Sequence, residues 1–471
     1  MRLLRIVVAI GLFSSISNGA GKPNVLFIAV DDLNDWVGCL GGHPQARTPH
    51  IDALAKRGTL FEQAHCAAPL CSPSRTSVMM GLRPSTTGIY GNLNWFRDMA
   101  PYQNWVTLPQ YFRAHGYVAW GGGKLYHQPH GKFSDPESWS HQYSSRMGTP
   151  HPPADLRYRH GLKQEFSNPI LARLIDWAPI EQSLQQTADW KTAEGAAGFL
   201  KQNHQKPFFL GCGIYLPHLP WYLPREYFEM HPLETIQLPL HRPDDFEDIP
   251  EAGRRMAAKD GAIIRNSGKW KEAVQACLAA GSFADACVGH VLLALRKSRY
   301  ADNTIVVLWG DHGYDVGEKK FAKSALWEQN TRTPLIINLP VALGGNREGR
   351  SCKRPVSLLD LYPTLVDLCG LPPNRRLEGR TIAPLVRDPE IEWNYPAVIT
   401  HSPPWHGPNH AVRSEAFHYI HYGRGGEELY DVSKDPSQWH NLARDPKYGK
   451  IKEDLRKWIP KKNAPHFRAN Q

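Results

Sequence analysis

Two segments of this chain are almost continuously apolar. Asn24–Val30 (NVLFIAV) and Thr304–Gly310 (TIVVLWG) lack alternation and are rich in β-branched residues. Such runs suit strands buried on both faces of a largely parallel sheet. Each ends abruptly, in Asp31-Asp32 and in Asp311-His312. Pro207–Tyr215 (PFFLGCGIY) predicts a third strand, running into Leu216-Pro217-His218. Between these strands the period lengthens. Thr48-Pro49 opens a helix through Arg57, with Thr48 as cap, Pro49 in the first turn and Gly58 as stop. Leu108–His115 reads as a helix closed by Gly116, before a strand over Tyr117–Trp120. Gly268–Lys297 carries a long helical pattern. Strands alternating with helices predict βαβ units and a sheet covered on both sides.

Residues 128–185 are rich in Pro, His, Ser and Trp and read as long loops over this scaffold. After Leu371-Pro372-Pro373 the texture changes. Ala397–Thr400 and His418–His421 read as short strands, and a helix spans about 450–458. The expected organisation is an α/β domain over residues 21–370 and a smaller C-terminal α+β subdomain over 371–471, with a small antiparallel sheet and a terminal helix. Met1–Ala20 has a basic start (Arg2, Arg5), a short apolar run and small residues before Ala20. That is the pattern of a secretory signal peptide, so the expected location is exported, periplasmic or secreted. No other uninterrupted apolar stretch approaches the roughly 20 residues of a membrane helix, so no span is expected in the mature chain.

With 471 residues, 41% hydrophobic and 21% charged, the chain is of ordinary globular composition, which excludes disordered and fibrous classes. The net charge of +10 first suggests a polyanionic partner. No basic helix or stacking module is evident, which argues against nucleic acid. Eight cysteines are too few for a disulfide scaffold. Apart from Cys71 they number an odd seven; Cys277–Cys287 and Cys352–Cys369 are conceivable pairs, and Cys212 reads as a buried free thiol.

Open α/β sheets place their sites beyond the carboxyl ends of strands, so Asp31, Asp32, Asp311 and His312 can converge there. Three buried carboxylates repel one another unless a cation sits among them, and oxygen ligands favour Ca²⁺ or Mg²⁺. An Asp pair after a strand is, taken alone, more often a solvated loop or a cap. In Cys71-Ser72-Pro73-Ser74-Arg75, Pro73 places Cys71 at a helix N-terminus, where backbone N–H groups and the dipole favour an anion. A reactive thiolate and an inert buried cysteine both fit that position.

CSPSR matches the C-x-P-x-R signature of the type I sulfatases. The resemblance runs in order through NVLFIAVDD, TPHIDALAKRGTLFEQAHC, CSPSRTS, GGGKLYH, PHLPW, DHGYDVGEKKFAKSALWEQNTRTPLI and ELYDVSKDPSQWHNLA. The spacing in GKLYH, the proline-flanked His218 and Lys323 make it most similar to the iduronate-2-sulfatase branch. The resemblance implies an alkaline-phosphatase-like fold and a sulfuric ester hydrolase. It implies that a formylglycine-generating enzyme oxidises Cys71 to formylglycine, whose hydrate attacks sulfur and then expels sulfate. One calcium ion is implied at Asp31, Asp32, Asp311, His312 and the modified Cys71. Arg75 is implied to hold the hydrate, Lys124 and Lys323 to bind sulfate oxygens, His127 to contact the hydrate, and His218 to protonate the leaving alcohol.

The expected substrate is a sulfated saccharide, with algal polysaccharide fragments or another small sulfate ester as alternatives. Trp95, Trp105, Trp139, Trp177, Trp221 and Trp405 offer sugar platforms or core packing. His43, Arg97, His401, His406 and Arg413 are candidates for a neighbouring carboxylate or second sulfate. Two competing readings are a phosphatase or phosphodiesterase of the same superfold, and a non-catalytic polyanion binder in which Cys71 stays a thiol.

Overall fold

The computed structural model describes residues 21–144, 154, 157–166, 169–257, 259–345 and 348–467. The leader expected at Met1–Ala20 lies outside them. Eight strands form the central sheet, in the order Arg350–Cys352, Thr59–Phe61, Leu335–Asn338, Thr304–Gly310, Asn24–Val30, Phe208–Ile214, Val118–Gly123, His141–Tyr143. Leu335–Asn338 runs antiparallel to both its neighbours. The other pairings are parallel. The two apolar runs lie side by side at the centre, in register from Asn24 opposite Thr304 to Val30 opposite Gly310. Every residue of both is buried, which is why neither alternates.

Successive side chains of Asn24–Val30 feed two separate cores. Val25, Phe27 and Ala29 pack with helices Cys71–Met80, Leu108–Ala114 and Leu361–Leu368. Leu26, Ile28 and Val30 pack with Pro49–Ala55, Ala188–Leu200 and Trp270–Lys297. The last is a 28-residue helix, long and apolar enough by composition to cross a membrane. Polar breaks such as Ser282 and Asp285 hide it from a search for uninterrupted apolar runs. Here its buried side chains, among them Val274, Phe283 and Val291, belong to the core.

Thr48 does not cap the helix that it precedes. Its hydroxyl instead accepts the Gly38 N–H at 2.8 Å and donates to Asp52 at 3.1 Å. The cap comes from Asp285 of the long helix, whose carboxylate accepts the N–H groups of His50 (3.1 Å) and Ile51 (2.8 Å). A charged acceptor facing two free N–H groups outcompetes a local hydroxyl. All eight cysteines are free. Cys277 and Cys287 lie on one helix. Ten residues at 1.5 Å each separate them by about 15 Å, beyond the reach of a disulfide.

The C-terminal part is a four-stranded antiparallel meander of Ala397–His401, Asn409–Arg413, Phe417–His421 and Glu427–Asp431, followed by helix Gly449–Arg456. Ile399, Ala411, Ile420 and Tyr430 complete the core on one side of the central sheet. Val412, Tyr419 and Leu429 pack against Leu455 of the last helix. The smaller sheet therefore has both faces covered.

Candidate active site

The ends of the two central strands meet the start of helix Cys71–Met80. Leu70 is extended (φ −156°, ψ 139°), and the chain enters the helix at Cys71. The Ser74 hydroxyl donates to the Asp311 carbonyl at 2.6 Å and ties the helix to the strand end. Cys71 is completely buried. Its Sγ lies 3.0 Å from Lys323 Nζ, 3.3 Å from His312 Nε2 and 4.0 Å from Lys124 Nζ. His127 is a hydrogen-bonding neighbour of the same sulfur. Against the desolvation of burial, Lys124, Lys323 and His312 hold the thiol well below its ordinary value. The position at the head of this helix is thus built for an anion.

Arg75, also buried, is the fixed centre of the cluster. It donates through Nη2 to Asp31 Oδ1 (3.0 Å) and through Nε to Asp311 Oδ2 (2.9 Å). Its Nη1 reaches the carbonyls of Lys124 and Leu125. Lys124 Nζ donates to Asp31 Oδ2, and Lys323 Nζ to Asp32 Oδ1 at 2.7 Å. Asp32 sits in the left-handed region (φ 57°), which Asp tolerates better than most residues, and its N–H donates to Asp311 Oδ1 at 3.0 Å. That kink at the strand end allows two successive carboxylates to join one cluster. Against burial, Lys124 and Arg75 hold the Asp31 carboxyl far below the usual range. Burial, with Asp31 nearby and Arg75 opposing, pushes Asp311 up to about 7. Asp311 and Cys71 outweigh burial and raise His312 to about 9.

Ligand atoms of Asp31, Asp32, Cys71 and His218 lie within 4.8 Å of one another, as do those of Asp31, Cys71, Asp311 and His312. Asp32 Oδ2 is buried without a hydrogen-bond partner. An orphaned carboxylate oxygen among further carboxylates is the donor chemistry that a hard divalent cation satisfies. The structure thus brings together all ten residues singled out in the sequence: Asp31, Asp32, Cys71, Arg75, Lys124, His127, His218, Asp311, His312 and Lys323. Together they form an anion position flanked by cations, a cation position flanked by carboxylates, and imidazoles beside both. Such a site can bind a tetrahedral anion and displace a group from it.

Sequence reasoning missed Tyr215, at the mouth of the strand that leads to His218. Its hydroxyl lies 2.9 Å from His218 Nδ1, and Lys124 Nζ sits 4.8 Å from its ring centroid. Asp189 was missed too; its carboxylate accepts the N–H groups of Tyr215 (2.8 Å) and Leu216 (3.0 Å). The candidates for a second anion are engaged elsewhere. Arg97 forks onto Asp135 (2.7 and 2.8 Å) and Arg413 binds Glu328 (3.1 Å). His401 is buried and pushed down to about 3 by desolvation, His406 bonds Asn409, and His43 packs on Trp36. Five of the six tryptophans are core; Trp405, 38% exposed, is the exception.

The family model Sulfatase matches residues 23–371, and a second, N-sulphoglucosamine sulphohydrolase, C-terminal, matches residues 310–464. The chain is 39% identical to a sulfatase of Formosa agariphila, over 94% of this chain and 87% of the relative. It is 29% identical to mouse iduronate 2-sulfatase, over 92% and 93%. It is 27% identical to a Δ4,5-hexuronate-2-O-sulfatase of Bacteroides thetaiotaomicron, over 94% and 89%. Its fold is similar to that of a phosphonate monoester hydrolase of Agrobacterium radiobacter, with a TM-score of 0.72 at 21% identity, covering 93% and 94% of the two chains. The fold thus serves more than one reaction, and the reaction must be argued from the site.

Proposed function

Because the chain belongs to the sulfatase family and hydrolyses sulfate esters, we propose that it removes a 2-O-sulfate from the uronate of a sulfated saccharide, using a calcium ion and a formylglycine made from Cys71. The observation that carries the reading is the setting of Cys71. Its sulfur stands where the hydrated aldehyde's oxygens would stand, 3.0 Å from Lys323 and beside Lys124, with Arg75 fixed behind it. The uronate rests on two relatives whose names specify 2-O-desulfation of iduronate and hexuronate.

Calcium, held by Asp31, Asp32, Asp311 and His312 with the modified Cys71, would supply the charge that polarises the sulfate. A formylglycine hydrate at position 71 would supply one hydroxyl as nucleophile toward sulfur and a second whose deprotonation would let sulfate leave as the aldehyde re-forms. The chain's own residues do the rest. Lys124 and Lys323 bind sulfate oxygens, and their charge offsets that of the ester. Arg75 orients position 71 while bridging and neutralising Asp31 and Asp311. His127, in contact with position 71, takes the proton of the attacking hydroxyl. His218 gives a proton to the leaving alcohol, whose high pKa makes it a poor leaving group unaided. Because Cys71 is wholly buried, the formylglycine-generating enzyme must act before the chain folds. The leader-like Met1–Ala20 supports export, where a sulfated polysaccharide is met.

The test is a panel of sulfated uronate oligosaccharides, other sugar sulfates and matched phosphate esters, each with and without calcium. The reading expects calcium-dependent release of sulfate, fastest from 2-O-sulfated uronates. Faster turnover of the phosphate esters, stimulated by zinc, would overturn it in favour of a phosphatase.

A further inference from the structure

Tyr215 is half-buried, yet it belongs to none of the roles assigned above. Its backbone is fixed by Asp189, which accepts its N–H at 2.8 Å. Its hydroxyl makes two bonds: it donates to the Leu219 carbonyl at 3.1 Å and meets His218 Nδ1 at 2.9 Å. His218 Nδ1 also bonds the Leu219 carbonyl. A carbonyl only accepts, so Nδ1 carries a proton and the Tyr215 oxygen receives part of that bond. Nε2 is then the nitrogen left to face the cluster of Asp31, Asp32 and Cys71, from which the His218 ligand atom is at most 4.8 Å away. Lys124 Nζ lies 4.8 Å from the centroid of the Tyr215 ring, a cation–π distance. One side chain therefore touches both the histidine and a lysine of the sulfate pocket.

We propose that Tyr215 is a positioning residue for proton delivery to the leaving alcohol: its hydroxyl fixes the tautomer and ring plane of His218, and its ring holds Lys124 against the sulfate. The inference rests on the reading of His218 as the acid. Two clasps on Nδ1 restrict the imidazole to one orientation, so Nε2 presents its proton along a constant line. Losing one clasp lets the ring turn, and misplacement by a fraction of an ångström lowers the rate of transfer. Only substrates that need protonation register this loss. An aryl sulfate, with its stable phenolate, does not.

The experiment is a double-mutant cycle of Tyr215→Phe and His218→Ala in the full enzyme, with kcat/KM measured on a sugar sulfate and on an aryl sulfate. Phe keeps the ring over Lys124, and an unchanged thermal midpoint checks that the fold is kept. The expected loss for Tyr215→Phe is about tenfold on the sugar sulfate, a part of the roughly 10²–10⁴-fold that a whole general acid contributes, and under about twofold on the aryl sulfate. In the His218→Ala background the same change should cost nothing further. Equal losses on both substrates, or additive losses in the double mutant, overturn the positioning role while leaving His218 as the acid. If His218→Ala itself slows both substrates equally, the acid assignment fails and the role of Tyr215 fails with it.

Discussion

Replacing Arg75 by Met keeps most of its volume and removes the charge on which the site is built. The side chain is fully buried between Asp31 (3.0 Å) and Asp311 (2.9 Å), so its loss strands two carboxylates in a dry interior. Removing one partner of a buried ion pair costs about 3–5 kcal/mol, because the partner keeps its desolvation without its compensation. Lys124 still reaches Asp31, which argues against adding the two pairs in full. For a chain of 471 residues, an unfolding entropy of about 2 cal/mol/K per residue gives about 1 kcal/mol per degree at the midpoint. The expected fall in melting temperature is therefore about 3–5 °C. The assay is calorimetry in chelator, so that no bound cation masks the repulsion. Arg57→Met, at an exposed arginine just past the helix Pro49–Ala55 whose Nε donates to the Ala53 carbonyl, is the control. A fall in Arg75→Met no larger than in this control would refute the argument that Arg75 holds the carboxylates together.

Burial raises Asp285 to about 6 even though it caps the helix that starts at Pro49, so the folded state binds its proton more tightly than the unfolded state does. The stability linked to this group is present below about pH 4 and is lost as pH rises to about 6, by at most about 3 kcal/mol. Relative to wild type, Asp285→Asn should therefore gain between pH 4 and pH 7 in urea unfolding; a constant difference across that range would exclude the linkage. Thiol titration of the denatured, unreduced protein should count seven thiols if Cys71 is converted, since all eight cysteines are free of disulfides. A count of five or fewer would show disulfides that the fold does not contain.

Much of this architecture is legible in the sequence, for identifiable reasons. The two central strands are buried on both faces, so continuous apolar runs announce them. Pro73 marks the start of the helix that presents Cys71. The strands Asn409–Arg413 and Glu427–Asp431 escape such reading. They are buried yet polar, because distant partners help satisfy them: Arg413 meets Glu328, and Glu428 meets Trp327 as well as the nearby Tyr422 and Tyr430. The same long-range pairing misleads at Arg97, whose carboxylate partner Asp135 no local pattern reveals. The direction of Leu335–Asn338, antiparallel in an otherwise parallel sheet, is likewise absent from its composition. At the site, residues in tight motifs were recognisable, whereas Tyr215 acts through a turn that only the folded chain closes.

The central claim is that Cys71 is the precursor of the nucleophile. The most direct measurement is mass spectrometry of the tryptic peptide Gly58–Arg75, from protein made in a host that carries the converting enzyme. The account predicts an aldehyde or its hydrate at position 71 and an unmodified thiol at Cys66 in the same peptide. An active enzyme whose Cys71 is entirely thiol would contradict it.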